Sequence, residues 1–134
     1  MPKAKQLTVW TESAPGEIGR VARALTKVKV NVTAFSCQSL TGLSPIRMQV
    51  SEHTKARRAL LQLGLRITEE EVLRLTVADR PGALAEIGVK LGEAGINIEY
   101  AYGAVAATSR RADLVFGVSD LSGALRILRP LKLG

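Results

Sequence analysis

Val77-Ala78-Asp79-Arg80-Pro81-Gly82-Ala83-Leu84, continued by Leu91-Gly92-Glu93-Ala94-Gly95-Ile96-Asn97-Ile98-Glu99, is the stretch that decides the fold of this chain. It reads as the end of a strand (Val72 to Val77), a Pro-Gly turn, a helix and a second strand. Pro81 suits the first helical position, because its missing N–H would find no partner there. Gly82 permits close approach of the backbone. Leu84, Ile87, Leu91 and Ala94 then recur at helical spacing. Gly95 suits the left-handed residue that closes a helix. Beyond it, Ile96, Ile98, Tyr100 and Tyr102 share one face of a period-2 pattern, which reads as the buried face.

The same pattern stands sixty-six residues earlier, where Pro15-Gly16 answers Pro81-Gly82, Leu25 answers Leu91 and Asn31 answers Asn97. Ile18, Val21, Leu25 and Val28 repeat the helical face, and Val30, Val32, Ala34 and Ser36 repeat the strand face. Ile46, Met48 and Val50 then meet Ala112, Leu114 and Phe116. Such agreement points to a duplication. Each copy continues with a hairpin turn, at Leu40-Thr41-Gly42 or Ala106-Ala107-Thr108-Ser109, and a second helix, from about Thr54 to Leu63 or Leu121 to Leu128. A short last strand, Leu65-Arg66-Ile67-Thr68, ends the first copy. In the second copy only Leu131-Lys132-Leu133 remains for it, so that strand is short or absent. The fold class is α+β: two tandem ferredoxin-like βαββαβ units, residues 1–70 and 71–134, with helices on one face of an antiparallel sheet.

Units of about 65 residues are marginal alone and need a shared interface or a partner chain. Hydrophobic residues make up 46% of the chain and charged residues 23%, evenly spread, as in a chain folded throughout. No apolar run approaches the roughly 20 residues of a membrane span. Met1-Pro2-Lys3-Ala4-Lys5 leads into a strand with no signal-peptide core. With Cys37 as the only cysteine, a cytoplasmic protein is expected. The net charge of +7 sits mostly in residues 1–70, which hold eleven Lys/Arg against five Asp/Glu. Lys55, Arg57 and Arg58 fall on one helix and read as a solvated face, with a phosphate-binding patch as the minority alternative.

Enzyme chemistry finds little to work with. His53, beside Glu52, has no second histidine or suitably placed cysteine to complete a metal site or a triad. Glu69-Glu70-Glu71 reads as a solvated linker, and no glycine-rich phosphate loop is present. No catalytic residue, metal site or cofactor is expected. Cys37 reads as a half-buried strand cysteine with nothing nearby to lower its pKa. RNA-recognition domains share the topology and stack bases on exposed aromatics. The few aromatics here lack the accompanying basic and glycine signature, so a nucleic-acid partner ranks third. The strand–helix loop remains. Free N–H groups of a helix's first turn suit a carboxylate, Asp79 suits an ammonium group, and Asn97 offers a donor and an acceptor. That set fits a free α-amino acid. Helix capping by Asp79 and a plain turn at Asn97 are the structural alternatives.

These residues resemble the ACT domain motif. Asp79-Arg80-Pro81-Gly82-Ala83-Leu84 with Gly95-Ile96-Asn97-Ile98 carries the likeness, and Glu12-Ser13-Ala14-Pro15-Gly16 with Val30-Asn31-Val32 is similar in a degraded form. The whole is similar to small stand-alone tandem ACT proteins. The resemblance implies units side by side as one continuous antiparallel sheet, with an amino acid bound at the seam between one unit's loop and its neighbour's second-strand start. Carried over, it nominates Asp79, Arg80, Pro81, Gly82, Ala83, Leu84, Asn97 and Ile98 in the second copy. In the first it nominates Glu12, Ser13, Ala14, Pro15, Gly16, Asn31 and Val32. Ser13 for Asp79 and Ala14 for Arg80 make the two sites unequal. The implied function is an amino-acid sensor acting by allosteric regulation, as a homodimer or through a regulated enzyme. The alternative is a ligand-free adaptor binding a protein partner. No membrane association is expected.

Overall fold

The structure, a computed structural model, describes residues 3–105 and 110–131. Six strands and four helices lie among the described residues: β1 (Lys3–Glu12), α1 (Glu17–Lys27), β2 (Val32–Cys37), β3 (Leu43–Val50), α2 (His53–Leu61), β4 (Arg66–Ala78), α3 (Ala83–Glu93), β5 (Ile98–Val105), β6 (Arg111–Val118) and α4 (Leu121–Leu128). The chain divides into two compact units, Lys5–Glu70 and Glu71–Gly134 with Met1–Ala4. The acidic run expected as a solvated linker is instead strand. Glu69, Glu70 and Glu71 lie within β4, and Glu70 accepts hydrogen bonds from Gln6 and Thr8 on β1.

In the first unit the strands run β2-β3-β1-β4, the ferredoxin-like order. Leu7 and Val9 face the helices, opposite Met48 and Ile46 of β3. Val21 and Leu25 of α1 and Ala56 and Leu60 of α2 close on them, one turn apart on each helix, to make a core sealed from solvent. In the second unit β4-β6-β5 repeats the arrangement. Leu73, Leu75 and Val77 lie under Ile87 and Leu91 of α3 and Ala124 and Leu128 of α4. Lys3, at the head of β1, reaches Glu71 of this unit at 3.4 Å. Asp120 caps α4 by accepting from the Gly123 N–H at 3.0 Å. The expected turn at Ala106–Ser109, and Lys132 and Leu133 of the expected last strand, lie outside the described residues; Leu131 is not in a strand.

Two register features depart from the simple repeat. In β2, Val32 pairs with Val50 but Ala34 pairs with Gln49, so Thr33 is an extra residue. In β5, Ile98 pairs with Val118 and Tyr100 with Gly117, so Glu99 is the extra one. Both are β-bulges, at equivalent positions, and each turns the rest of its strand over. Ala34, Ser36, Tyr100 and Tyr102 therefore lie on the face away from the helices. The expectation that the tyrosines share the buried face of Ile96 and Ile98 is corrected by one residue of register. Tyr100 lies over Gly117, where a Cβ would fall inside its ring. Trp10, on β1, is covered by the Arg66 guanidinium at 5.0 Å and donates to Thr68. Cys37, expected to be half-buried, is exposed.

The second feature lies in the hairpin. Leu7 pairs with Met48 in the first unit and its counterpart Leu73 pairs with Phe116 in the second. From β3 onward the copies are therefore offset by sixty-eight residues. Met48 corresponds to Phe116 rather than Leu114. The two extra residues belong to the second hairpin, and because they are two, the apolar faces still coincide.

Candidate functional site

The second unit's loop is a tight turn before it is a helix start. Gly82 has φ 94° and ψ −17°, close to the third residue of a type II turn, and the Ala83 N–H reaches the Arg80 carbonyl across it at 3.3 Å. Pro81 is thus the second turn residue and α3 begins at Ala83, not at the proline. What glycine supplies at position 82 is positive φ rather than room: the nearest atom to a Cβ there would be Arg80 Nη1 at 3.6 Å. Gly16, with φ 89° and ψ −4°, does the same before α1. The N-cap residues, Gly16 and Gly82, offer no side chain to cap the first turn of either helix. The N-cap residue of α3 is Gly82, not Asp79.

Asp79 is fixed through its main chain, its N–H donating to the Arg110 carbonyl at 2.6 Å, while its carboxylate is exposed. Arg80 folds forward onto Glu86, Nη2 lying 3.1 Å from both carboxylate oxygens. Leu84 is 62% exposed and Ile18, its counterpart, 47%. Both were expected on the buried helical face, yet each stands beside its loop. In the first unit Ser13 hydrogen-bonds the Ser39 hydroxyl, and its N–H donates to the Gly42 carbonyl at 3.4 Å. A cavity of about 410 Å³ opens there, lined by Ser13, Pro15, Gly16, Ile18, Cys37 and Ser39 among others. Ala14 also lines it, and Glu12 is exposed.

The asparagines lie elsewhere. Asn97 N–H donates to Ser119 Oγ at 2.9 Å, and Ser119 N–H returns a bond to the Asn97 carbonyl at 3.0 Å. Asn31 and Ser51 make the same reciprocal pair at 3.0 and 2.9 Å. In both, the main chain does the structural work and the side-chain amide stays exposed. Val32 and Ile98, the next residues, are half-buried at their cores. The loop lies beside the far end of β2 or β5, and the asparagine precedes the near end. At about 3.3 Å per residue, the two are separated by roughly 20 Å or more. Within one unit the nominated residues form two clusters, not one. Ser39, Ser51 and Ser119 were missed: the last two stand sixty-eight residues apart, so a comparison at sixty-six does not align them.

The ACT domain family model matches residues 72–132, which take in α3, its preceding turn and Asn97. The second unit is an ACT domain. Protein BT0572 from Bacteroides thetaiotaomicron has a similar structure (TM-score 0.89, 26% identity), the match covering 98% of this chain and 90% of that one. The regulatory subunit of aspartate kinase from Thermus thermophilus matches with TM-score 0.65 and 17% identity over 96% of each chain. Its counterpart from Thermus flavus gives 0.64 and 16%, over 96% of this chain and 95% of that one. The two aspartate kinase subunits share the fold of the tandem units. A comparison with curated proteins finds no match. The ACT domain makes the general role of the chain regulatory, through binding of a small molecule. No helix among the described residues is long and apolar enough to cross a membrane.

Two ionisable groups are shifted away from the loops. Burial pushes His53 below the usual imidazole range, with Glu69 opposing and Lys5 reinforcing the shift. Its Nδ1 has no hydrogen-bond partner among the described residues. Arg74 is held more firmly cationic by its hydrogen bond to Asp113, at 2.6 Å across β4 and β6.

Proposed function

We propose that this chain is a regulatory sensor, not an enzyme, that binds a free amino acid at a seam between ACT units and relays it through oligomerisation or a partner enzyme. The observation that carries this reading is that the fold uses Asp79 and Asn97 only through their main chains. The Asp79 carboxylate and the Asn97 amide are free to meet the ammonium and carboxylate of a ligand, beside the uncapped N–H groups of α3. Because loop and asparagine occupy opposite ends of one unit, a complete site needs the loop of one unit and the asparagine of another. A second copy of the chain supplies that arrangement, so the ligand favours the homodimer that completes its pocket. The second-unit loop is the stronger half-site, since Ser13 is already bonded to Ser39 and Ala14 replaces Arg80.

A thermal-shift screen against the twenty amino acids, one at a time at millimolar concentration, tests this. A ligand at about 100 times its dissociation constant adds roughly 2.7 kcal/mol, enough to raise the melting temperature by several degrees. One or a few amino acids should do so, and Asp79→Ala should abolish the response while leaving the unliganded melting temperature unchanged. A flat panel would remove the sensor reading. The adaptor reading would then lead, favoured by Phe35 at 57%, Leu43 at 49% and Leu40 at 43% exposure on the first unit. It calls for an assembly whose mass by light scattering does not change with amino acids.

A further inference from the structure

In the first unit, α1 carries Arg20, Arg23 and Lys27 along one helical stripe. The stripe borders a groove of about 760 Å³ between α1 and α2, floored by Ala24, Ala59 and Leu63. Arg20 is partnered by Glu17 at 3.1 Å. Arg23 and Lys27 are exposed and have no acidic partner among the described residues. The second copy has taken the opposite course. Its residues at those positions are Glu86, Val89 and Glu93. Both glutamates there are paired, with Arg80 at 3.1 Å and Lys90 at 3.8 Å. A helix face kept charged for solubility alone gains from such pairing. The first copy instead keeps unpaired charge of one sign beside an apolar floor.

We propose that the α1–α2 groove of the first unit is a docking site for an acidic amphipathic helix of a partner protein. The small side chains of Ala24 and Ala59 leave room for apolar residues of a third helix, which bury against Leu63. Glutamates flanking that apolar stripe then meet Arg23 and Lys27 at the rim. A nucleic acid fits less well. Methyl and isobutyl groups form the floor, and the groove offers no aromatic ring on which a base could stack. This site does not depend on amino-acid binding at the loops.

The test is fluorescence anisotropy on the full chain with a fluorescein-labelled helical peptide of about three heptads, with leucine at the apolar positions and glutamate beside them. The controls are its lysine counterpart, a scrambled peptide of the same composition, and oligouridine. The acidic amphipathic peptide should bind at least about tenfold more tightly than any control. The double substitution Arg23→Val with Lys27→Glu installs what the second copy carries at those positions. It should weaken binding by about tenfold or more without lowering the melting temperature. Ala59→Glu attacks the same groove from the α2 wall and should have the same effect. Absence of binding, equal binding by the scrambled peptide, tighter binding of oligouridine, or full affinity in the folded variants would each overturn the proposal.

Discussion

Replacing Gly117 by alanine tests the register at the bulged end of the second unit. Tyr100 pairs directly with Gly117, and the Tyr100 ring occupies the space where a Cβ would stand. Gly117 is buried and is not among the positive-φ glycines, so the backbone tolerates alanine, and the three atoms nearest a Cβ all belong to the Tyr100 ring. Forcing an extra methyl into a packed contact costs about 1–3 kcal/mol. A loss near 2 kcal/mol corresponds to a fall in melting temperature of roughly 6–10 °C for a chain of this size. Removing the ring should reverse the sign. In a Tyr100→Ala background the three closest atoms are gone, and loss of the glycine's unfolded-state entropy makes the change neutral or stabilising by about 0.5–1 kcal/mol. Urea unfolding of the wild type, both single variants and the double variant measures the coupling, expected at about 2–3 kcal/mol. An equal cost in both backgrounds, or none in the wild type, would refute the placement of Tyr100 over the sheet and with it the bulge at Glu99.

Lys29 holds φ 59° where the second copy has Gly95 at φ 72°, and both stand in the same helix-ending hydrogen-bond pattern. Since a left-handed L-residue costs about 1–2 kcal/mol and glycine returns part of that as unfolded-state entropy, Lys29→Gly should stabilise by about 0.5–1 kcal/mol. A chemical-denaturation midpoint that does not rise would count against it. His53 titrates below the ordinary imidazole value of about 6.5. The unfolded chain therefore binds the proton more readily than the folded one. Stability from this group is present above about pH 6.5 and is lost as pH falls through the depressed folded value. His53→Gln should flatten that part of the stability profile; a slope unchanged by the substitution would assign it to other groups.

What the sequence determined by itself is whatever depends on neighbours along the chain. Helical spacing at Val21, Leu25, Ile87 and Leu91, the turn glycines at positions 16 and 82, and the duplication are local patterns, and each survives in the fold. The residues of both strand–helix loops were legible for the same reason, through a motif contiguous in sequence. Tertiary structure decided the rest. Which face Tyr100 and Tyr102 occupy depends on one unpaired residue, Glu99, and a period-2 pattern read along a single strand carries no trace of the partner's register. The two extra hairpin residues shifted β6 against its repeat without disturbing its alternation, so Ser119 was hidden from the comparison that found Asn97. The loop and the asparagine of one unit, both named from sequence, lie at opposite ends because strand direction, not sequence spacing, sets where a residue stands.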